Sequence, residues 1–189
     1  MSATKQSLRI IGGEYRGRRL EFIQSEGLRP TTDRVRETLF NWLQPVIQGA
    51  RCLDMFAGSG LLGMEAASRG AGEVVFIEQQ ADVAERIASN IKQLGAASTR
   101  LIQANAIDAL PDLQQPFDVV FVDPPFGTDL LATACRQLQE YQLVKPAGRV
   151  YLESERQIEV EELPAGWQLI RSKKAGHVYY YLATIEHSS

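Results

Sequence analysis

The chain has 189 residues, of which 44% are hydrophobic, and it carries a formal net charge of −3 at pH 7. This length suffices for one α/β domain with a full apolar core, and no stretch approaches the roughly 18 apolar residues of a membrane span. No charged and then apolar leader opens the chain, and its two cysteines, Cys52 and Cys135, lack the spacing of a metal or redox pair, so we expect a soluble, cytoplasmic protein.

Basic residues are concentrated near the start of the chain. Residues 1–40 contain eight Lys or Arg and five acids, so the rest of the chain carries a net charge of −6. A basic arm on an acidic body is typical of enzymes that bind a polyanion. The pattern over residues 8–23 predicts a short β-hairpin with Gly12-Gly13 as the turn. The arginines on its exposed side are candidate phosphate ligands: Arg16, Arg18 and Arg19.

A loop and a helix follow this hairpin. Residues 27–32 predict a loop, and from Asp33 the apolar residues recur at helical spacing until Pro45, so we expect the helix to end at Gln44. Further candidate phosphate ligands are Arg29 in the loop and Arg34 and Arg36 at the helix start. Because acids stand beside Arg34 and Arg36, one of the two can instead form an ion pair.

Short apolar strands alternate with helical segments from residue 51 onward, which indicates a parallel sheet covered on both faces. The strands are predicted near 51–55, 73–78, 99–104, 117–122 and 148–154, and the helices near 60–69, 80–94 and 128–141. The tail differs, because residues 167–172 and 177–184 surround a turn at Lys173-Lys174-Ala175-Gly176 and predict a terminal antiparallel hairpin.

A glycine loop follows the first of these strands, at Asp54-Met55-Phe56-Ala57-Gly58-Ser59-Gly60. The spacing Gly58-x-Gly60-x-x-Gly63 also fits a dinucleotide fingerprint, and Glu78 ends the next strand, where either kind of cofactor presents a ribose diol. The charges separate the two ligands. Residues 54–68 contain two acids and no cation, which disfavours a pyrophosphate and favours S-adenosylmethionine, a ligand with a sulfonium and an ammonium group.

The predicted cofactor site therefore consists of the glycine loop and two further strand ends. Asn105-Ala106 follows the third strand, where the Asn side chain can reach an adenine edge or simply stabilise a turn. The predicted cofactor residues are Asp54, Phe56, Ala57, Gly58, Ser59, Gly60, Glu78, Asn105 and Ala106.

A second motif, Asp123-Pro124-Pro125-Phe126, follows the nearly all-apolar strand 117–122. Two prolines end that strand abruptly and leave the Pro124 carbonyl without a partner in the sheet. The lone pair of an exocyclic amine on a nucleobase is delocalised into the ring, so the Asp123 carboxylate and the Pro124 carbonyl could accept its two N–H bonds and turn the lone pair toward a methyl donor. Phe126 would stack on the ring. We therefore predict Asp123, Pro124 and Phe126 as catalytic residues.

These two motifs resemble those of S-adenosylmethionine-dependent methyltransferases that act on exocyclic amines. The N-terminal sequence indicates a narrower family within this class. It closely resembles the RsmD group of bacterial 16S ribosomal RNA guanine-N2 methyltransferases at Arg9-Ile10-Ile11-Gly12-Gly13, at Arg16-Gly17-Arg18 and over residues 29–41. The resemblance covers nearly the whole chain. It implies a Rossmann-like, seven-stranded α/β sheet, mostly parallel with a C-terminal antiparallel hairpin, a guanine in 16S ribosomal RNA as substrate, and an assembled small ribosomal subunit as partner.

Taken together, these features predict an N-terminal basic hairpin and helix over 1–48 and a methyltransferase domain over 49–189. We expect a monomer, and no metal, because His177 has no second ligand at suitable spacing. Three alternatives stay open: a nicotinamide oxidoreductase, which shares the glycine loop; a non-catalytic RNA-binding assembly factor, which shares the basic arm; and an amine methyltransferase for another nucleic-acid base or a protein glutamine.

Overall fold

The computed structural model describes residues 5–23 and 31–186. Nine strands and five α-helices lie within these residues, and short 3₁₀ turns occur at Leu110–Asp112 and Val160–Glu162. The strands are β1 (Lys5–Arg9), β2 (Arg19–Ile23), β3 (Arg51–Asp54), β4 (Glu73–Glu78), β5 (Thr99–Gln103), β6 (Phe117–Val122), β7 (Val144–Ser154), β8 (Trp167–Ala175) and β9 (Val178–Ile185). The helices are α1 (Asp33–Ile47), α2 (Leu61–Ser68), α3 (Ala81–Leu94), α4 (Ala106–Ala109) and α5 (Leu130–Glu140).

Seven of the described strands form one sheet in the order β5-β4-β3-β6-β7-β9-β8. Strands β3 to β7 are mutually parallel, and β9 runs antiparallel to both β7 and β8. This is the predicted α/β sheet with a C-terminal antiparallel hairpin, so the fold-class prediction is confirmed. The carboxyl ends of β4, β3, β6 and β7 consequently lie side by side along one edge, which we call the catalytic edge.

Apolar residues cover both faces of the sheet, as expected for central parallel strands. On one face, β3, β4 and β6 pack against α1, α2 and α3, and on the other they pack against α4 and α5. Residues 119–122 of β6 are fully buried because the strand contributes alternately to both cores. No helix in the described part of the chain is long and apolar enough to cross a membrane.

The N-terminal hairpin is present, but its turn is not where we predicted it. Strands β1 and β2 pair from Lys5↔Ile23 to Arg9↔Arg19, and the chain reverses later, where the N–H of Arg18 donates to the Tyr15 carbonyl. Gly12 and Gly13 instead lie against the end of α2, where a Cβ on Gly13 would be 1.8 Å from the Ser68 carbonyl oxygen. Both glycines are therefore needed for close packing, and Gly13 also opens the turn, because its φ is +75° and its carbonyl accepts the Arg16 N–H at 3.2 Å.

Helix α1 extends beyond its predicted end at Gln44. It runs through Pro45 to Ile47, although proline cannot donate a helical hydrogen bond. Only the last turn is affected by that loss, and the continuation buries Ile47 in the core that α1 shares with α2 and α3. Tertiary packing has overridden the local signal.

The last hairpin also differs in detail from its prediction. Lys173 and Lys174 lie in β8, which continues to Ala175, and the reversal is confined to Gly176 and His177. Gly176 has a φ of +61°, which suits the first position of a two-residue hairpin loop. The two lysines therefore belong to a paired strand, and the pairing of β8 with β9 fixes their positions.

Strand β7 also differs from its prediction. It begins four residues before its predicted start, at Val144, and its pairing with β6 shifts register between Phe117 and Val119.

Candidate active site

A cavity opens at the catalytic edge, over the carboxyl ends of β3, β4 and β6. It brings together nearly all the residues predicted for the cofactor and the chemistry, although they come from four separate parts of the sequence. The predicted site residues that line this cavity are Asp54, Phe56, Ala57, Gly58, Ser59, Glu78, Asn105, Ala106, Asp123, Pro124 and Phe126. Gly60 does not line the cavity; it caps α2 directly beneath it.

The glycine loop turns sharply from β3 into α2. Gly58 and Gly60 have φ values of +52° and +72°, a region that other residues rarely adopt. Gly63 has a different role, because a Cβ there would lie 2.2 Å from the ring of Phe76. The loop is further fixed to β4 by the hydrogen bond from the Ala57 N–H to the Ile77 carbonyl. The loop is therefore held close to the sheet, with its backbone at the cavity.

Asp54 occupies the position that a pyrophosphate would need. Its Oδ2 accepts the N–H of Gly63, in the first turn of α2, at 2.9 Å. A helix N-terminus attracts anions, and here the chain's own carboxylate has already filled that place. Burial, with a contribution from the nearby Glu78 carboxylate, raises the pKa of Asp54 to about 7, against the opposing effect of the Gly63 hydrogen bond. The site therefore favours a cationic ligand and disfavours a dinucleotide.

Glu78 is held at the end of β4 by two backbone donors. Its Oε2 accepts the N–H of Gly58 at 2.9 Å, and its Oε1 accepts the N–H of Gln80 at 2.8 Å. Each carboxylate oxygen has a second lone pair, so both can still accept a hydroxyl. The carboxylate is therefore oriented before any diol arrives, and it also ties the glycine loop to the neighbouring strand.

Asn105 acts as the N-cap of α4. Its Oδ1 accepts the N–H groups of Ile107 and Asp108, so the predicted turn-stabilising role is present. With that oxygen engaged, the side-chain amide group is what remains to meet a ligand acceptor, and it lies 3.5 Å from Gln79 Oε1. An adenine contact by Asn105 would therefore be made through its N–H₂ group, while Ala106 lines the cavity beside it.

The Asp123-Pro124-Pro125-Phe126 segment forms the far wall of the same cavity. Within the described residues, no hydrogen bond reaches the Pro124 carbonyl oxygen. Burial, together with the nearby carboxylates of Glu153 and Asp54, raises the pKa of Asp123 well above its ordinary value. The segment thus presents one unused carbonyl and one carboxylate of raised basicity next to a half-buried aromatic ring.

Glu153 is a site residue that we did not predict from the sequence. It is the penultimate residue of β7 and lies beside Asp123, it is buried, and its Oε2 accepts the hydroxyl of Tyr151 at 2.8 Å. Burial, followed by the charges of Glu153 and Asp123, raises the pKa of Tyr151 well above its ordinary value, so the phenol is a donor. The available signal was an acid directly after an apolar strand, the same signal that identified Glu78.

Three further lining residues had no comparable signal. Thr31, two residues before α1, reaches the cavity from the N-terminal segment, and Gln79-Gln80 follows Glu78. Thr31 is brought there only by the packing of α1 on the sheet, which no local sequence pattern reveals.

The predicted phosphate-binding arginines of the N-terminal hairpin are exposed but lie away from the cavity. The Tyr15 N–H donates to Ser68 Oγ and an Arg18 guanidinium N–H donates to the Gln93 carbonyl, so this turn lies at the C-terminal ends of α2 and α3. Helices that connect parallel strands run back toward the opposite edge of the sheet, and α3 alone is about 21 Å long. Arg16 and Arg18 therefore lie about one helix length from the catalytic edge, and Arg19 begins the strand that leads back toward it.

Arg36 must be removed from the predicted phosphate ligands. Its side chain is fully buried and pairs with Glu65 at 3.2 Å and with Asp33 at 2.5 Å, so no phosphate can reach it. This is the ion pair that the sequence pattern allowed for one of the two helix arginines. Arg34 is exposed near the start of α1. Arg29 lies outside the described residues.

Comparison with known proteins adds an independent line of evidence. The model of the family described as conserved hypothetical protein 95 matches residues 8–184. Over 175 residues the chain is 47% identical to the Escherichia coli (strain K12) protein named ribosomal RNA small subunit methyltransferase D, covering 93% of this chain and 88% of that protein.

Two solved structures extend the comparison to the fold. The structure of yhhF from Escherichia coli is 45% identical, with a TM-score of 0.89, and covers 96% of this chain and 99% of that one. The structure of SMU.776 in complex with SAH is only 12% identical, with a TM-score of 0.73 over 96% of this chain and 56% of that one, and so shows the fold alone.

Proposed function

The chain belongs to the conserved hypothetical protein 95 family, the family of the small-subunit ribosomal RNA methyltransferase D proteins, and we propose that it transfers a methyl group from S-adenosylmethionine to the N2 amine of a guanine in 16S ribosomal RNA. The assembled small ribosomal subunit is the proposed substrate particle, which would place the reaction in the cytoplasm. One observation carries the chemistry: the Asp123 carboxylate and the unused Pro124 carbonyl face the same cavity as Asp54 and Glu78.

The donor side of the cavity fits S-adenosylmethionine. This ligand supplies a methyl group on a sulfonium centre, and it carries an ammonium group and a ribose diol but no phosphate. The Asp54 carboxylate would stabilise the cationic end, and the Glu78 carboxylate would accept the ribose hydroxyls. Residues 56–59 would surround the methionine part, and Asn105 and Ala106 would border the adenine.

The acceptor side fits an exocyclic amine. Asp123 Oδ and the Pro124 carbonyl oxygen would each accept one N–H bond, which pulls the lone pair out of conjugation with the ring and toward the methyl donor. Phe126 would stack on the guanine once the base has left its own stack. The attacking nitrogen becomes strongly acidic, and the raised pKa of Asp123 suits its carboxylate to take the proton that is released.

The alternatives are less well supported by the same residues. A nicotinamide oxidoreductase needs a pyrophosphate at the start of α2, where the Asp54 carboxylate already binds Gly63. A non-catalytic assembly factor has no need for the acceptor pair at Asp123 and Pro124. An amine methyltransferase for another base or for glutamine would use the same pair, so only the family relationship favours the guanine of ribosomal RNA over these substrates.

The direct test uses small ribosomal subunits isolated from cells in which the gene for this chain is deleted. The purified protein and S-adenosylmethionine carrying a deuterated methyl group are added, and the ribosomal RNA is digested and analysed by mass spectrometry. The proposal predicts deuterated N2-methylguanosine at one site per particle. Label in another nucleoside would overturn the guanine-N2 assignment, and label found only in ribosomal protein would overturn an RNA substrate altogether.

A further inference from the structure

The C-terminal hairpin, β8 and β9, carries an uncompensated positive charge. Residues 163–185 contain no Asp or Glu, in a chain whose net charge is −3. The hairpin's three permanent cations, Arg171, Lys173 and Lys174, are all exposed. Like-signed side chains grouped on one element create a local potential that attracts a polyanion. From the sequence, two of these cations were expected in a turn and had no assigned role.

Strand register places this charge at the catalytic edge. Asp123 follows β6 and lies beside Glu153, because the pairing of β6 with β7 stays in register up to the residues before them. Glu153 pairs with Tyr180 in β9, and Tyr180 pairs with Lys173 in β8. One row of residues therefore crosses the sheet from Asp123 to Lys173, over three strand spacings or about 14 Å. That distance is about two nucleotides of an extended RNA strand.

The next row combines a cation with an aromatic ring. Lys174 pairs with Tyr179 across the hairpin, and its Nζ lies 3.0 Å from the Tyr179 hydroxyl oxygen and 4.6 Å from the ring centroid. Tyr179 in turn pairs with Ser154, which lines a second cavity directly behind Pro124–Phe126. Because side chains alternate along a strand, Lys174 and Tyr179 lie on the face of the hairpin opposite to Arg171 and Lys173. This row therefore brings one cation to an aromatic ring, and such rings in basic surroundings are commonly used to hold single-stranded nucleic acid without reading its sequence.

Strand β9 is held on both faces close to the hairpin loop. Tyr180 is buried and stacks on Trp42 of α1, with the ring centroids 5.6 Å apart. Tyr181, on the opposite face, accepts the N–H of Ile158 at 3.0 Å. The cations therefore extend from a fixed platform on the target side of Asp123, whereas Arg16 and Arg18 of the N-terminal hairpin lie about one helix length away.

We propose that the β8–β9 hairpin binds the RNA strand next to the methylated nucleotide, with Arg171, Lys173 and Lys174 on its phosphates and Tyr179 under a neighbouring base. The inference rests on the proposed function, because it takes RNA as the substrate. Lysines on an edge strand can also serve only to prevent strand pairing between copies of the chain, since β8 ends the sheet. The experiment must separate these two roles.

The test compares three variants that each lose three positive charges. One carries Arg171→Gln, Lys173→Gln and Lys174→Gln, and a second carries the matched changes Lys92→Gln, Arg100→Gln and Arg136→Gln at exposed positions on α3, β5 and α5. The third changes Arg16, Arg18 and Arg19 to Gln. Binding to small subunits that lack the modification is measured at several salt concentrations, with S-adenosylmethionine affinity as a check on the fold.

The β8–β9 variant should bind these particles at least tenfold more weakly at 0.1 M salt, with the slope of log affinity against log salt reduced by roughly 0.7–0.9 for each phosphate that the variant no longer binds. The matched variant should keep the wild-type slope. Tyr179→Leu should lower affinity by roughly 5- to 150-fold without changing the slope, because stacking is removed and charge is kept.

Equal salt slopes in the β8–β9 and matched variants would overturn the inference. Self-association of the β8–β9 variant with an unchanged salt slope would show that the lysines serve only to prevent strand pairing between copies of the chain. A slope reduced only in the Arg16, Arg18 and Arg19 variant would move the RNA-binding surface to the N-terminal hairpin. Failure of the proposed function is distinguishable, because the wild-type protein would then transfer no methyl group to RNA at all.

Discussion

Asp54 has opposing effects in the free and the ligand-bound protein. Its pKa of about 7 means that the folded chain holds this proton more tightly than the unfolded chain does. The resulting stabilisation is complete below the ordinary pKa of an Asp and is lost as the pH rises through about 7. Above that pH the buried carboxylate destabilises the ligand-free protein, and a cationic ligand would offset the cost.

Replacing Asp54 with Asn should therefore separate stability from binding. Asn keeps an acceptor for the Gly63 N–H but has no charge, so the ligand-free variant should gain stability over the wild type as the pH rises from 6 to 8, as measured by urea unfolding. Wild-type affinity for S-adenosylmethionine should rise over the same range with release of a proton, and the variant should lose both effects. Identical pH dependence of wild type and variant in calorimetry would remove Asp54 from the site.

Glu78 offers a second test at the level of one side chain. In the proposed complex its charge-assisted bonds to the ribose hydroxyls would be worth about 1.5–3 kcal/mol each, so Glu78→Ala should weaken S-adenosylmethionine binding by roughly ten- to several-hundredfold. Glu78→Gln, which keeps one acceptor oxygen, should lose less. Glu73→Gln, at the opposite end of the same strand, is the matched control and should bind as the wild type does. Unchanged affinity in both Glu78 variants would contradict the assignment.

At the scale of elements, a buried charge cluster joins the N-terminal hairpin to α1 and α2. The Glu65 carboxylate is fully buried and accepts N–H groups from Ile11, Gly12, Arg36 and Arg69. Arg36 also donates to the Arg9 carbonyl at 3.0 Å. Part of the basic N-terminal sequence therefore serves to attach the N-terminal hairpin to the rest of the fold. The attachment point is Glu65 of α2, the helix that follows the glycine loop.

Removing Arg36 should be costly because it leaves the buried Glu65 carboxylate without the only one of its two counter-ions that is itself fully buried. We expect Arg36→Met to lower the free energy of unfolding by about 3–5 kcal/mol. Arg34→Ala, two residues earlier on the exposed side of the same helix, should stay within about 0.5 kcal/mol of the wild type. Urea denaturation of both variants checks this, and equal stabilities would show that the cluster does not anchor the hairpin.

The elements that could be predicted from the sequence are those whose signal is local. Strands β4 and β6 are nearly continuous apolar runs, and α3 has a strong amphipathic period, so their predicted bounds differ from the observed ones by at most one residue. Gly58-x-Gly60 and Asp123–Phe126 are local motifs at strand ends, and the parallel topology was enough to predict that they meet.

The features that could not be predicted depend on contacts between distant segments. The continuation of α1 through Pro45 is a matter of core packing, and the role of Gly12-Gly13 depends on Ser68, more than 50 residues away. The burial of Arg36 requires Glu65, which no spacing rule links to it. Thr31 reaches the cavity for the same kind of reason.

At the scale of the whole molecule, the central strands of the sheet end in negative charge, whereas the β8–β9 hairpin beside them is positively charged. Four neighbouring strands, β4, β3, β6 and β7, each bring an acid to the catalytic edge: Glu78, Asp54, Asp123 and Glu153. Such an edge attracts a cationic methyl donor and repels the phosphates of the substrate. In the proposed complex the basic hairpin beside the edge would resolve this conflict, because it would hold the backbone of an RNA strand while a single uncharged base enters the acidic cavity.

The measurement that tests the account most directly is single-turnover methyl transfer by Asp123 variants at saturating S-adenosylmethionine, on small subunits that lack the modification. Asp123→Ala should bind the donor within a few-fold of wild type and react roughly 10²–10⁴-fold more slowly, because it removes an acceptor needed chiefly when the amine attacks. Asp123→Asn should also be slow, since it lacks the charge that matches the developing cation. Asp112→Ala, at an exposed position away from the cavity, is the control. Near wild-type rates in both Asp123 variants would show that Asp123–Phe126 is only a structural turn and would contradict the amine-methyltransferase mechanism.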